Sequence, residues 1–209
     1  MVNAQIIGSV FDTTDLVENF KTFDDDVELT INSPGGGVMA GLQLCRAIQD
    51  HGHTVTAKVK VMAASIAGVI ALACDRVEID KNSLLMFHNC WALAEGNKEA
   101  LENKVEAMKA IDAILHSYIK EHCNKAEEIE ERLNKGDVWL TGEEAAELFE
   151  NVELVEAPAK EGVQNDCASL VDLLRGYRAH LENKNKPAPE PPYVLSSEME
   201  ALLAEYADD

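Results

Sequence analysis

Apolar and polar residues alternate along Val27-Glu28-Leu29-Thr30-Ile31, the spacing of a strand with one face against a core, and the rhythm breaks at Ser33-Pro34-Gly35-Gly36-Gly37. Apolar residues then recur at Val38, Leu42, Cys45 and Ile48, which is one face of a helix. The scheme repeats. Thr54 to Val61 alternates as a strand, and Met62-Ala63-Ala64-Ser65-Ile66-Ala67-Gly68 leads into a second apolar helical run. Pro34 bars a regular strand from continuing, and the three glycines admit backbone angles and close approaches that side chains forbid. Strand, turn, helix, strand, turn, helix predicts an α/β fold with a mostly parallel sheet.

The remaining elements fit that frame. Ala4 to Val10 reads as a first strand, Thr13-Thr14-Asp15 as the cap of a short helix ending near Phe20, and Arg76–Asp80 and Ser83–Phe87 as two strands joined by a tight turn at Lys81-Asn82. Leu101, Val105, Met108, Ile111, Leu115, Tyr118 and Ile119 fall on one face of a long helix, whose start offers Glu99 and Glu102 to the helix dipole but no good Ser/Asn cap. A helix from Ala126 to Leu133 comes next, then a strand after Asp137. Thr141 and Glu144 have the spacing of a capping box, and Val152–Val155 reads as a last strand. Residues 1–157 are thus expected to form one domain and residues 158–209 an accessory tail. That tail carries an amphipathic helix through Leu170, Leu174 and Leu181, a proline-rich linker over 184–192, and a terminal helix marked by Leu195, Met199, Leu202 and Tyr206.

Composition narrows the function. With 38 acidic against 18 basic residues among 209, the formal net charge of −20 argues against nucleic acid or anionic membrane as a partner. The longest apolar run, Val61 to Cys74, is too short to cross a bilayer. No basic segment followed by an apolar core opens the chain, and the five cysteines (Cys45, Cys74, Cys90, Cys123, Cys167) have no Cys-x-x-Cys spacing. Reduced, mostly buried thiols in a cytoplasmic protein are the expectation.

Three positions carry candidate chemistry. Ser65 stands where a strand turns into a helix; from the turn alone, an N-capping serine is the simpler reading and a nucleophile beside backbone donors the sharper one. His88 ends the apolar strand Ser83-Leu84-Leu85-Met86-Phe87, and Asp137 stands just ahead of Val138-Trp139-Leu140-Thr141. Serine, histidine and carboxylate at the ends of sheet elements are the parts of an acyl-transfer triad. Other residues read more plainly. His51-Gly52-His53 is a surface turn without a third ligand nearby, so no metal is assigned. Cys90 is a poor nucleophile candidate, and His116 and His122 do not share a helix face. Trp91 and Trp139 are core or site walls, and no Gly-Lys-Ser/Thr comes after the glycines to make a phosphate loop.

Taken together, Ile31-Asn32-Ser33-Pro34-Gly35-Gly36, Ala63-Ala64-Ser65, Met86-Phe87-His88-Asn89 and Asp137-Val138-Trp139-Leu140-Thr141 with Glu144-Ala145 resemble the Clp-type serine peptidases, the ClpP family. Within that family the chain is most similar to the ClpP-like proteases of phage and prophage head genes. The resemblance implies a ClpP/crotonase-like spiral of βαβ units with a projecting long helix. It also implies a serine endopeptidase whose triad is Ser65, His88 and Asp137, with the backbone N–H groups of Gly36 and Ile66 as oxyanion donors and no cofactor. Polypeptide substrates, a homo-oligomeric ring (heptamer or double ring) and a capsid or scaffold protein as partner are implied by the same resemblance. An ATPase partner is left open, since the family's ATPase-docking segment has no counterpart ahead of Ala4. A housekeeping ATP-dependent subunit, a catalytically silent ring-forming scaffold and a crotonase-type acyl-CoA enzyme are the alternatives. The chain departs from the family's pattern at Cys90, where a proline is usual after the histidine.

Overall fold

A computed structural model of the chain describes residues 1–156. The expected tail helices, the 184–192 linker and Cys167 lie outside the described residues. In order the elements are β1 (Val2–Ile7), α1 (Thr14–Phe20), β2 (Val27–Ser33), α2 (Val38–Gln49), β3 (Val55–Ala64), α3 (Ile66–Leu72), β4 (Arg76–Asp80) and β5 (Leu84–Phe87). They are succeeded by α4 (Lys98–Glu121), α5 (Ala126–Lys135), β6 (Val138–Thr141), α6 (Gly142–Leu148) and β7 (Val152–Val155). β1, β2, β3, β4 and β7 lie side by side in that order, every pair parallel, which is the expected α/β class.

The alternation seen in the sequence is the sheet's two faces. Val27, Leu29 and Ile31 of β2, Val55, Ala57 and Val59 of β3, and Val77 and Ile79 of β4 are all buried. The intervening side chains are half-covered, and there Lys58 lies between Glu28 and Glu78, 2.5 and 3.6 Å from their carboxylates. Cross-strand charge pairing of this kind suits a face that stays wet. Beyond Lys60 the alternation stops, because Met62, Ala63 and Ala64 are buried whichever way they point. That run reads in the sequence as part of a turn; it is instead the last third of β3.

β3 is long enough to serve two neighbours on one edge. Thr56–Val59 pairs with Arg76–Ile79 of β4, and Met62–Ala64 pairs with Leu84–Met86 of β5, both in parallel. The tight turn at Lys81-Asn82 is therefore a step along β3 and not a hairpin. Asp80 shapes it, its carboxylate accepting the Asn82 N–H at 2.8 Å and its carbonyl accepting the Ser83 N–H at 2.9 Å. The buried Ser83 hydroxyl donates to the Lys60 carbonyl at 2.9 Å, where β3 passes from one partner to the next. β6 closes the other edge of β5 and is antiparallel to it.

Against this sheet α3 is buried along its whole length. Gly68 lets it approach: a Cβ there would lie 2.9 Å from the Phe87 ring and 3.1 Å from the Ala63 and Met86 carbonyls. The apolar stripe of α4 divides in two. Leu115 and Ile119 are buried, whereas Leu101 and Val105 are 39% and 49% exposed, so the first half of the helix carries apolar surface that the other described residues leave open. The start of α4 is better capped than its sequence suggests, since Asn97 accepts the Ala100 N–H at 2.9 Å. The first strand begins and ends earlier than expected, at Val2 and Ile7, and Val10 pairs instead with Gly36.

Burial also governs the thiols. It pushes the Cys45 thiol up to about 12 and the Cys74 thiol well above the ordinary range. A thiol whose folded pKa is raised contributes stability that is complete below its unfolded pKa of about 8.5 and is lost as pH climbs towards the folded value. Urea midpoints should therefore fall between about pH 8.5 and 11, the decline should flatten in Cys45→Ala, and iodoacetamide at about pH 8 should leave Cys45 and Cys74 unmodified until the protein unfolds.

Candidate active site

β3 delivers Ser65 to the edge of the sheet beside the end of β5. The ladder ends at Ala64 opposite Met86, and one step on the Ser65 N–H still donates to the Met86 carbonyl at 2.8 Å. The chain then turns abruptly. Ser65 has φ 57° and ψ −130°, the only positive φ at a non-glycine position among the described residues. Such a backbone costs on the order of 1–3 kcal/mol and persists only where its surroundings enforce it. Ser65 does occupy the N-cap position of α3, but only its carbonyl serves the helix, accepting the Gly68 and Val69 N–H groups at 3.0 and 3.3 Å. Its hydroxyl makes no capping bond and faces His88 instead, with Nε2 2.7 Å from Oγ. Both residues are half-buried. With Nδ1 protonated, the geometry has the hydroxyl donating to a basic Nε2.

Asp137 directly precedes β6, whose first residue, Val138, pairs with Phe87 at the end of β5. The β5–β6 pairing runs Leu84–Thr141, Leu85–Leu140, Met86–Trp139 and Phe87–Val138, so His88 and Asp137 each stand one residue beyond the last pair of that ladder. Asp137 stands at the exposed rim, just after Gly136 at the end of α5.

The glycine turn after β2 forms the opposite wall. The Gly35 N–H donates to the buried Ser33 hydroxyl at 3.1 Å, which folds the Ser-Pro-Gly turn back on itself. Gly35 has φ 93°, and a Cβ on it would stand 2.7 Å from Ser65 Cβ and 3.2 Å from Ser65 Oγ. At Gly36 the backbone runs against Val10, leaving 2.8 Å between a would-be Cβ and the Val10 nitrogen. Val10 forms a parallel bridge there, donating to the Gly35 carbonyl at 2.8 Å and accepting from the Gly37 N–H. In such a bridge the central residue's own N–H points away from the partner, so that of Gly36 is not used by Val10. The N–H of Ile66 is the first of α3 and has no acceptor in its own helix. Ile66 directly follows Ser65, and Gly36 directly follows Gly35, the glycine that lies against the Ser65 side chain.

The sequence that builds this geometry also carries the family. Residues 9–149 match the family model for Clp protease, a span that contains Gly36, Ser65, Ile66, His88 and Asp137. The chain belongs to the Clp protease family. Among Clp relatives, an ATP-dependent Clp protease proteolytic subunit of Porphyromonas gingivalis is 30% identical over 124 residues, 58% of this chain and 56% of the relative. One from Bacteroides fragilis is 28% identical over 124 residues, 58% and 60% of the two chains. Proteolytic subunit 1 of Streptomyces avermitilis is 29% identical over 125 residues, 58% and 57%. The chain spans somewhat more than half the length of these Clp relatives.

Several residues at this Clp site escape a reading of the sequence. Ser33 holds Gly35, and its signal is the Ser-Pro-Gly spacing of a side-chain turn. Asn89, next to His88, is held by His116 at 2.8 Å, and Cys90 donates its N–H to Asp112 at 2.6 Å. His116 and Asp112 are four apart on α4, a spacing visible in the sequence but without a visible target. Burial first, then Asp112, push the Cys90 thiol up to about 11. His51 and His53 stay in their turn, contacting the Asp25 carbonyl and the Asp24 carboxylate at 3.0 and 3.2 Å. Trp91 and Trp139 are both exposed. Among the described residues no cluster of three metal-ligating side chains occurs, and no helix is long and apolar enough to cross a membrane.

Gly35→Ala sets a methyl group against Ser65 and forces an alanine into positive φ. It should lower stability by about 1–3 kcal/mol in a urea titration. It should also reduce the labelling of Ser65 by a fluorophosphonate far more than the same substitution at Gly52, where a Cβ meets open space.

Proposed function

We propose that this chain is a serine endopeptidase that hydrolyses peptide bonds through Ser65, His88 and Asp137. The observation that supports this reading most directly is the contact of Ser65 Oγ with His88 Nε2 at 2.7 Å, at a strained strand-to-helix turn. A serine hydroxyl is a weak nucleophile until a base takes its proton during attack. His88 removes that proton as the Oγ–carbon bond forms, and the carbonyl oxygen becomes an oxyanion between the N–H groups of Gly36 and Ile66. Each such donor is worth about 2.7–4 kcal/mol in the transition state. The carbon–nitrogen bond then breaks as His88 gives its proton to the leaving amine. Water, activated by the same imidazole, releases the acyl group from Ser65. Asp137 keeps Nδ1 protonated and stabilises the imidazolium.

Fluorophosphonate labelling at Ser65, with turnover of a short peptide ester, tests this. Ser65→Ala and His88→Ala should each lower turnover by at least about 10³-fold with the fold unchanged, and the double variant should be little worse than either. Near-normal turnover by either variant would sink the assignment.

The finer reading places the enzyme in a homo-oligomeric ring, as a phage or prophage ClpP-like protease acting on capsid or scaffold proteins. The apolar face at Leu101 and Val105, left open by the other described residues, supports assembly, because a heterologous interface that closes on itself makes a ring. The charge of −20 favours a basic segment on the partner protein. The names of the relatives favour a second reading, the proteolytic subunit of an ATP-dependent protease. Removing residues from Lys184 onward separates the two. A recruiting tail predicts that ester hydrolysis is kept and cleavage of the partner protein is lost; equal loss of both, or dependence of every activity on an added unfoldase, counts against it.

A further inference from the structure

The imidazole of His88 is held within 2.7 Å of Ser65 Oγ, although His88 lies beyond the last paired residue of β5. On its N-terminal side the backbone is fixed, since Leu84–Met86 is laddered to β3 and Leu84–Phe87 to β6. On its C-terminal side the ladder has ended, and no regular element begins until Lys98. What holds that side is α4. Asp112 Oδ1 accepts the N–H of Cys90 at 2.6 Å, and His116 Nε2 meets Asn89 Oδ1 at 2.8 Å. Asn89 Nδ2 in turn donates to the Leu133 carbonyl of α5 at 3.4 Å. Asp112 is half-buried, and its turn of α4 is anchored by the packed Ile111 and Leu115.

We propose that Asp112 is a positioning residue: by accepting the Cys90 N–H, its carboxylate fixes the segment after His88 and so keeps the imidazole in line with Ser65. This rests on the peptidase reading of Ser65 and His88. The short distance fits a charge-assisted hydrogen bond, about twice as strong as a neutral one. A proline at position 90 would restrict the backbone through its ring and would have no N–H to give. Cysteine leaves the backbone freer and supplies the donor, and Asp112 supplies the acceptor that restores the constraint from outside the loop. Cys90 thus matters through its main chain, while its thiol is turned to the Met108 carbonyl at 3.5 Å. Placement at this level has consequences for rate, since a displacement near 1 Å can cost about 10²-fold.

The test uses the full chain, a fluorogenic peptide ester and a fluorophosphonate. Asp112→Ala should lower kcat by about 10- to 100-fold with KM little changed. Asp112→Asn, which keeps an acceptor oxygen, should return kcat to within about fivefold of the wild type. Circular dichroism and light scattering establish that each variant is folded and assembled as the wild type is. Amide hydrogen exchange provides a second measurement that does not depend on the alanine variant folding. The Cys90 N–H should be protected in the wild type and should exchange faster in Asp112→Asn. An unprotected Cys90 amide in the wild type, a kcat unaffected by Asp112→Ala, or an asparagine variant as slow as the alanine one would each overturn the proposal. A wild type that neither labels nor turns over substrate would instead overturn the peptidase reading beneath it, while the exchange data would still report on the Asp112 contact.

Discussion

A ladder of three residue pairs, Met62–Leu84, Ala63–Leu85 and Ala64–Met86, is the constraint on which the site depends. Because the pairing is parallel, the two strands end at the same edge of the sheet, and the residues they lead into emerge side by side. One strand runs into Ser65 and the other into His88. A shift of one residue in this register would turn every side chain of β5 to the other face. Met62, Ala63, Ala64, Leu85, Met86 and Phe87 are all buried, so both faces are covered here and the fit of particular side chains, more than polarity, holds the register. Phe87 packs edge-on against Phe149 at 5.8 Å, so a residue distant in sequence also steadies the strand that leads into His88.

Much of this is legible in the sequence. Val27–Ile31 and Thr54–Val61 alternate, the Ser-Pro-Gly-Gly-Gly turn announces a break, and the Thr141–Glu144 capping box is present with both of its bonds. The capping glutamate is held below its ordinary carboxylate range by the Thr141 backbone and hydroxyl. The elements that are not legible are hidden for physical reasons. Met62-Ala63-Ala64 shows no alternation because it is covered on both sides, so nothing in its pattern marks it as strand. The pairing of both β4 and β5 with one edge of β3 is a property of the sheet that no local window contains. Asn97 does not stand out as a cap because charged residues dominate the start of α4.

The site is legible in its chemistry and not in its support. Ser65 and His88 stand out as residue types at strand ends, and the structure brings them into contact. The groups that steady them, Ser33 beneath Gly35 and Asp112 and His116 along α4, are ordinary polar residues in sequence. Their roles exist only once α4 crosses behind the His88 loop. A helix read for its apolar stripe alone loses the polar flank that touches the chemistry.

The backbone of Ser65 has a consequence in evolutionary time. A φ of 57° with ψ −130° is ground on which glycine sits comfortably and serine does not. Retaining serine here is therefore uphill for the fold and is defended only by whatever the hydroxyl accomplishes. In any descendant lineage that lost its substrate, the conformational gradient at position 65 would run towards glycine. The occupant of this single position in related genomes would then distinguish working copies from retired ones, even where the rest of the domain had hardly diverged.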